Sequence, residues 1–177
     1  MRRHRQTLEC LPFDAPCQVD QGLNEYTVSE LIRSAVEQAG QSGLRVPDRV
    51  IFEDPITHLN ALLGWFPEVL DAWQQAGFEC LHNGTWQSFK RRVIGPIDQW
   101  RQTLETGHDV TVVTSAGVIS TITAELLGKS LAWQRQLNVA LYNASVTELV
   151  MEDNGSWSAA TINCTQHLND PELQTLA

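Results

Sequence analysis

The sequence contains no long run of apolar residues and few basic side chains. No stretch approaches the roughly 20 apolar residues that a membrane-spanning helix needs. Lys and Arg together number 12 against 21 Asp and Glu, which gives a formal net charge of −9. Because nucleic acids and anionic membrane surfaces attract proteins that carry a positive field, this charge argues against both as partners.

Cysteine is also scarce, and its spacing excludes the common cysteine sites. The chain has 4 cysteines, none of which forms a Cys-x-x-Cys pair or stands at zinc-finger spacing from a histidine. We therefore expect reduced, structural thiols and a cytoplasmic protein. The basic start of the chain is not followed by the apolar segment of a secretory signal, which agrees with this expectation.

The remaining composition is that of a globular protein. The 177 residues are 42% hydrophobic and 19% charged, so the chain can bury a core and leaves little room for a long disordered segment. No internal repeat or linker is visible. We therefore expect one α/β domain over residues 1–177.

Hydrophobic periodicity predicts several helices and few strands. Helices are expected over residues 3–11, 27–40, 56–75, 86–104, 118–128 and 131–139. A capping box of Thr27 and Glu30 should begin the second helix, and Pro67 should kink or split the third. Two extended stretches should form a hairpin through Asp153-Asn154-Gly155, and the tail after His167 should be loosely held. Gly95-Pro96 should interrupt the helix over 86–104.

The most patterned stretch is DVTVVTSAGVISTITAELLG, residues 109–128. Its β-branched run predicts a strand over 109–114, which ends at Ser115-Ala116-Gly117 and is followed at once by helical periodicity. Backbone N–H groups converge where a strand passes through a glycine turn into a helix, and anions bind there. The pattern therefore indicates an anion site at residues 115–117.

Four stretches resemble the histidine phosphatase superfamily, which includes the cofactor-dependent phosphoglycerate mutases. They are RRHRQTLECL (2–11), GLNEY (22–26), VVTSAGVI (112–119) and LYNASVTEL (141–149) followed by a tryptophan and INCTQHL. They occur in the family's order and extend over nearly the whole chain. The resemblance implies a three-layer α/β/α phosphoglycerate mutase-like fold, with a helical insertion at about residues 45–85.

The resemblance also implies roles for individual residues. Arg3 matches the arginine that clamps phosphate, and Glu25 matches the general acid that protonates the leaving group. Ser115, Ala116 and Gly117 match the phosphate-binding turn, with Ser115 in the place of the family's second histidine. A serine can donate a hydrogen bond there but brings no positive charge. No metal and no dissociable cofactor are implied.

The family's nucleophilic histidine has no counterpart in these residues. It belongs to an Arg-His-Gly turn on the opening strand, upstream of the helix that Arg3 begins. His4 is not followed by glycine, so we do not expect it to be that nucleophile. We therefore expect an N-terminally truncated domain that lacks its first strand and helix and is inactive alone. Arg91 and Arg92 precede the Gly-Pro break and could face the site, but a solvated basic pair is the preferred interpretation.

Two functions remain open at this point. In the complete protein, the domain would hydrolyse or transfer phosphomonoesters through a phosphohistidine, on a phosphorylated small molecule or a phosphoprotein. Alternatively, the chain is a non-catalytic pseudo-phosphatase that binds a phospho-ligand or a partner protein. The sequence leaves the substrate and the oligomeric state undetermined.

Overall fold

The computed structural model describes residues 1–12, 14–47 and 55–177 and combines helices with a small sheet. The helices are α1 (Arg2–Glu9), α2 (Val28–Glu37), α3 (Ala39–Ser42), α4 (Pro55–Gln74), α5 (Trp86–Ile94), α6 (Ile97–Glu105), α7 (Ala116–Leu126) and α8 (Leu131–Ala140). The strands are β1 (Val146–Met151) and β2 (Trp157–Cys164), and 3-10 helices cover Gln21–Leu23 and Pro171–Leu173. This content confirms the predicted α/β class. None of the helices within the described residues is long and apolar enough to cross a membrane.

The chain divides into two compact units. The first unit contains Met1–Glu25 and Arg92–Ala177, and the second contains Tyr26–Arg91. The predicted insertion at 45–85 falls within the second unit. The sequence predicts a loop over QSGLRVPDRVIFEDP (41–55), and its residues 48–54 lie outside the described residues. A single domain with this insertion stays a prediction.

An aromatic cluster forms much of the core of the second unit. Tyr26, Trp73, Trp86 and Phe89 are at most 5% exposed and contact one another with ring centroids 5.3–5.6 Å apart. Several of these pairs meet edge to face, the geometry that aromatic quadrupoles favour. Leu31 of α2, which is fully buried, belongs to the same core.

The predicted capping box at the start of α2 does not form. The Thr27 side chain caps no backbone group, and the Glu30 carboxylate instead lies 2.7 Å from His82 Nδ1. The side-chain amide of Asn83 binds the Thr27 backbone instead. Asn83 Oδ1 accepts the Thr27 N–H at 2.9 Å, and Asn83 Nδ2 donates to the Thr27 carbonyl at 3.0 Å. A side chain distant in sequence thus caps the helix.

The two proline-containing helical regions behave differently. α4 continues through Pro67, whereas the region predicted over 86–104 divides into α5 and α6 at Gly95-Pro96 as expected. Pro67 is exposed, and the buried Val69, Leu70 and Trp73 follow it in the same helix. Burial of these three side chains offsets the roughly 3 kcal/mol that an internal proline costs.

In the first unit, α7 packs against α8 and is buried on most sides. Two of its buried hydroxyls are hydrogen-bonded, since Thr121 Oγ1 donates to the Gly117 carbonyl at 2.6 Å and Gln134 Nε2 of α8 donates to Ser120 Oγ at 2.8 Å. The strand predicted over 109–114 is wrong, because residues 108–115 have no regular secondary structure. A strand requires neighbours for its N–H and C=O groups, and the described residues place no ladder beside this segment.

The predicted hairpin is confirmed. β1 and β2 are antiparallel, from Val146 opposite Cys164 to Met151 opposite Trp157. The prediction of a loosely held tail is wrong. Its backbone pairs with the segment after α8, where Tyr142 bridges Leu176 and the Ala177 N–H donates to the Leu141 carbonyl at 2.8 Å.

Candidate functional site

The centre of the candidate site is the hydroxyl of Ser115, which lies at the start of α7. Arg3 Nη2 donates to Ser115 Oγ at 2.6 Å, and His4 Nε2 lies 2.7 Å from the same oxygen. Arg3 is exposed, whereas His4 and Ser115 are half-buried. We call these three residues the Ser115 cluster.

The first turn of α1 supplies both nitrogen-bearing side chains. The side chains of consecutive helix residues point about 100° apart around the helix axis. Arg3 and His4 can both reach Ser115 Oγ because this oxygen lies between the directions of their two side chains. The amino group of Met1 donates to Asn24 Oδ1 at 2.9 Å, which ties the start of α1 to the loop that precedes Glu25. The helix is thereby fixed next to the two segments that carry the other predicted site residues.

Glu25 caps α7 in place of Ser115. Ser115 occupies the N-cap position, but its hydroxyl caps no backbone amide because it is engaged by Arg3 and His4. The N–H of Gly117 instead donates to Glu25 Oε2 at 2.7 Å. A carboxylate at a helix N-terminus is favoured by the partial positive charge there.

Arg92 holds the loop that carries Glu25. Its Nη1 donates to the carbonyl oxygens of Gly22 at 2.6 Å, Asn24 at 2.8 Å and Gln21 at 3.3 Å. The interpretation of Arg92 as a solvated residue is therefore wrong, although its neighbour Arg91 is exposed as expected. All three contacts come from one terminal nitrogen, whose two N–H groups are shared among the three carbonyl oxygens.

Two further contacts fix the same loop. Thr114 Oγ1 donates to the Leu23 carbonyl at 2.8 Å, so the segment before α7 is bound to the loop directly. A Cβ atom at Gly22 would lie 2.9 Å from Asp20 Oδ1 and 3.1 Å from the carbonyl oxygen of Arg92. The second of these neighbours is backbone and cannot rotate away, so close packing requires glycine at position 22.

The environment alters the pKa values of two members of the site. Partial burial lowers the pKa of His4, and the positive charges of the N-terminal amine and of Arg3 lower it further. Burial also lowers the pKa of Arg92, against the attraction of the Glu25 and Asp20 carboxylates. His4 is therefore mainly a neutral imidazole at pH 7, whereas an arginine stays charged.

The structure brings together the residues that the sequence singled out. Arg3 contacts Ser115 directly, and Glu25 accepts the N–H of Gly117, the second residue of the same helix. Ala116 is the first residue of α7 and contributes its backbone to this turn. Sequence reasoning missed His4 as a partner of Ser115 and Arg92 as a holder of the loop. The position of His4 next to Arg3 was a signal that could have identified His4. No sequence signal pointed to the contacts of Arg92.

The described residues contain no group of three or more His, Cys, Asp or Glu side chains that could hold a metal ion. What they do provide is a set of hydrogen-bond donors for an oxyanion. A guanidinium, a hydroxyl and the amides at a helix start are the groups that bind phosphate in proteins, and Arg3 adds a full positive charge.

Comparison with known proteins gives the family of the chain. No curated protein and no solved structure matches the chain significantly. A family model described as histidine phosphatase superfamily (branch 1) matches residues 59–165, which is more than half of the 177 residues. The chain therefore belongs to the histidine phosphatase superfamily, branch 1.

Proposed function

We propose that this chain supplies the phosphate-binding groups and the proton donor of an enzyme that hydrolyses or transfers phosphomonoesters. The observation that carries the proposal is the 2.6 Å contact between Arg3 and Ser115 at the start of α7. It joins a charged donor to a helix N-terminus, as a phosphate site requires. The substrate is a phosphorylated small molecule or a phosphoprotein in the cytoplasm, and no cofactor takes part.

In this proposal each residue has a distinct role. Arg3 and Ser115 donate to the equatorial oxygens of the phosphate, where charge must be held through the transition state. Glu25, once protonated, delivers a proton to the leaving oxygen, a step that contributes about 10² to 10⁴ in rate. To do so it must release the Gly117 N–H, which then becomes available to a phosphate oxygen.

The absence of the family's nucleophilic histidine from these residues makes a second, non-catalytic function possible. None of the 5 histidines of the chain is followed by glycine, so these residues contain no Arg-His-Gly. We propose that this chain alone forms no phosphohistidine and binds the phosphate group instead. The second candidate is a non-catalytic module that binds a phospho-ligand or a protein, and Ser115 in the place of a histidine favours it, because the phosphate clamp then has one positive charge fewer.

Binding of inorganic phosphate and vanadate, measured by titration calorimetry, tests the site. Arg3→Ala should weaken binding by about tenfold or more, since a hydrogen bond from a charged group contributes roughly 1.5–3 kcal/mol. Arg5→Ala is the matched control, because Arg5 is an exposed residue of the same helix and its removal changes the net charge equally. Equal losses in the two variants, or no binding by the parent chain, would refute the proposal.

Turnover tests whether this chain acts alone. Steady release of 4-nitrophenol from 4-nitrophenyl phosphate, well beyond one equivalent per chain, would refute the proposal that the chain alone forms no phosphohistidine. We expect binding of vanadate without such release, since neither candidate has a nucleophilic histidine within these residues. Circular dichroism of every variant checks that the helices are retained.

A further inference from the structure

Ser115 is placed to react as well as to bind. Its Oγ lies 2.7 Å from His4 Nε2, the distance expected between a nucleophilic hydroxyl and its general base. We propose that Ser115 itself accepts the phosphoryl group of a bound phosphomonoester, with His4 as its base, and that the chain thereby forms phosphoserine. The inference rests on the proposed function, because the phosphomonoester must first occupy the same site.

The hydrogen-bond pattern places the hydroxyl proton on the side of His4. Arg3 can only donate, so it contacts a lone pair of Ser115 Oγ. Within the part of the chain that the structure describes, the hydroxyl contacts no acceptor other than His4 Nε2. The arrangement that satisfies all three groups has the Ser115 O–H donating to an unprotonated Nε2, with the imidazole proton on Nδ1.

His4 is in the protonation state that a base requires. Partial burial, the N-terminal amine and Arg3 all lower the pKa of its imidazole, so the neutral form predominates at pH 7. A neutral imidazole next to a hydroxyl is the pairing that activates serine in many hydrolases. The cation of Arg3 at 2.6 Å would in addition stabilise the negative charge that develops on Oγ during attack.

The reaction is balanced without any further reactant. Ser115 Oγ forms a bond to phosphorus while the bond between phosphorus and the leaving oxygen breaks. The hydroxyl proton passes to His4 Nε2, and Glu25 in its protonated form gives a proton to the leaving oxygen, which departs as an alcohol or a phenol. The product is phosphoserine at position 115, and one phosphomonoester is consumed for each chain.

Ser130 offers an internal comparison. It occupies the N-cap of α8, and its side chain accepts the N–H of Trp133 at 3.2 Å. This serine performs the ordinary capping role and has no imidazole or guanidinium among its contacts within the described residues. Ser130→Ala is therefore a matched control for Ser115→Ala, because each variant removes an N-cap hydroxyl from a helix.

The experiment incubates the purified chain with 4-nitrophenyl phosphate and follows its intact mass. We expect one added phosphoryl group, located at Ser115 by peptide mapping and stable in acid, unlike a phosphohistidine. It should be lost in Ser115→Ala and retained in Ser130→Ala. In His4→Gln it should form about 10²-fold more slowly, as loss of a general base predicts.

Three results would overturn the inference: no added phosphoryl group, a group on another residue, or an equal rate in His4→Gln. Calorimetry with inorganic phosphate on the same preparation shows whether only the nucleophilic role of Ser115 is wrong or whether the chain has no phosphate site. Phosphate binding without phosphoserine removes only the role of Ser115 as a nucleophile. Absence of binding removes the site altogether.

Discussion

The carboxylate of Glu25 accepts the backbone N–H of Gly117 at 2.7 Å, although 92 positions separate the two residues in the sequence. This hydrogen bond links the loop after the first 3-10 helix to the start of α7. It gives Glu25 a structural role that can be measured independently of any catalytic one.

Replacing Glu25 by alanine should lower the free energy of unfolding by about 0.5–2 kcal/mol, the usual cost of losing a helix N-cap acceptor. Glu25→Gln retains an oxygen acceptor but not the charge, so its loss should be smaller. Urea unfolding followed by circular dichroism measures both. Glu9→Ala, at an exposed position of α1, should stay within about 0.5 kcal/mol of the parent chain. An equal effect of Glu9→Ala and Glu25→Ala would contradict the cap.

Arg92→Ala should destabilise the chain by roughly 1–3 kcal/mol, because it removes the donor of three backbone carbonyls in the loop before Glu25. Arg91→Ala is the control, since the adjacent side chain is exposed and the change in charge is identical. The urea midpoints of unfolding of the two variants and the parent chain measure this difference in stability. Two variants of equal stability would show that the loop does not depend on Arg92.

His4 should make the chain less stable in mild acid. Its pKa is lowered in the folded chain by burial, the N-terminal amine and Arg3, whereas in the unfolded chain it should lie near the ordinary value of about 6.5. Between these two values the unfolded state binds more protons, so the free energy of unfolding falls as the pH drops below about 6.5. His4→Gln should reduce this slope, which urea unfolding at several pH values measures.

Cys80 should resist alkylation in the folded chain while Cys10 and Cys17 react. Burial raises the pKa of the Cys80 thiol, and the nearby carboxylates of Glu30 and Glu79 add to the effect, so little thiolate forms. Cys10 and Cys17 are exposed. Iodoacetamide labelling followed by peptide mapping should find Cys80 modified only after denaturation. Early modification of Cys80 would mean that this part of the second unit opens readily.

The chain should yield no acid-labile phosphate after incubation with 4-nitrophenyl phosphate. The reason is the absence of an Arg-His-Gly sequence from these residues. Phosphorus NMR of the treated protein distinguishes phosphohistidine from phosphoserine. Steady release of 4-nitrophenol well beyond one equivalent per chain, abolished by Arg3→Ala, would contradict the prediction.

Local sequence patterns predicted the parts of the fold that depend on local interactions. The hairpin through Asp153-Asn154-Gly155 formed because its turn residues favour this geometry, and Gly155 adopts a φ of 78° there. The break at Gly95-Pro96 followed from the chemistry of proline in the same way. Motif resemblance also selected Arg3, Glu25, Ser115 and Gly117, which the fold does connect by hydrogen bonds.

The errors occurred where distant residues decide the outcome. The capping box at Thr27 failed because Asn83, far away in the sequence, provides the amide that caps α2. The strand over 109–114 failed because β-branched composition does not supply a neighbouring strand. Arg92 was misassigned for the same reason, since its acceptors are backbone carbonyls that no side-chain pattern reveals.

The aromatic cluster gives the second unit an optical signature of its own. The indole rings of Trp73 and Trp86 lie 5.3 Å apart with an interplanar angle of 77°, close enough for their electronic transitions to couple. Such coupling produces paired circular dichroism bands of opposite sign, which vanish when the rings separate. Residues 26–91 can therefore be followed through a thermal scan without a label by this pair of bands.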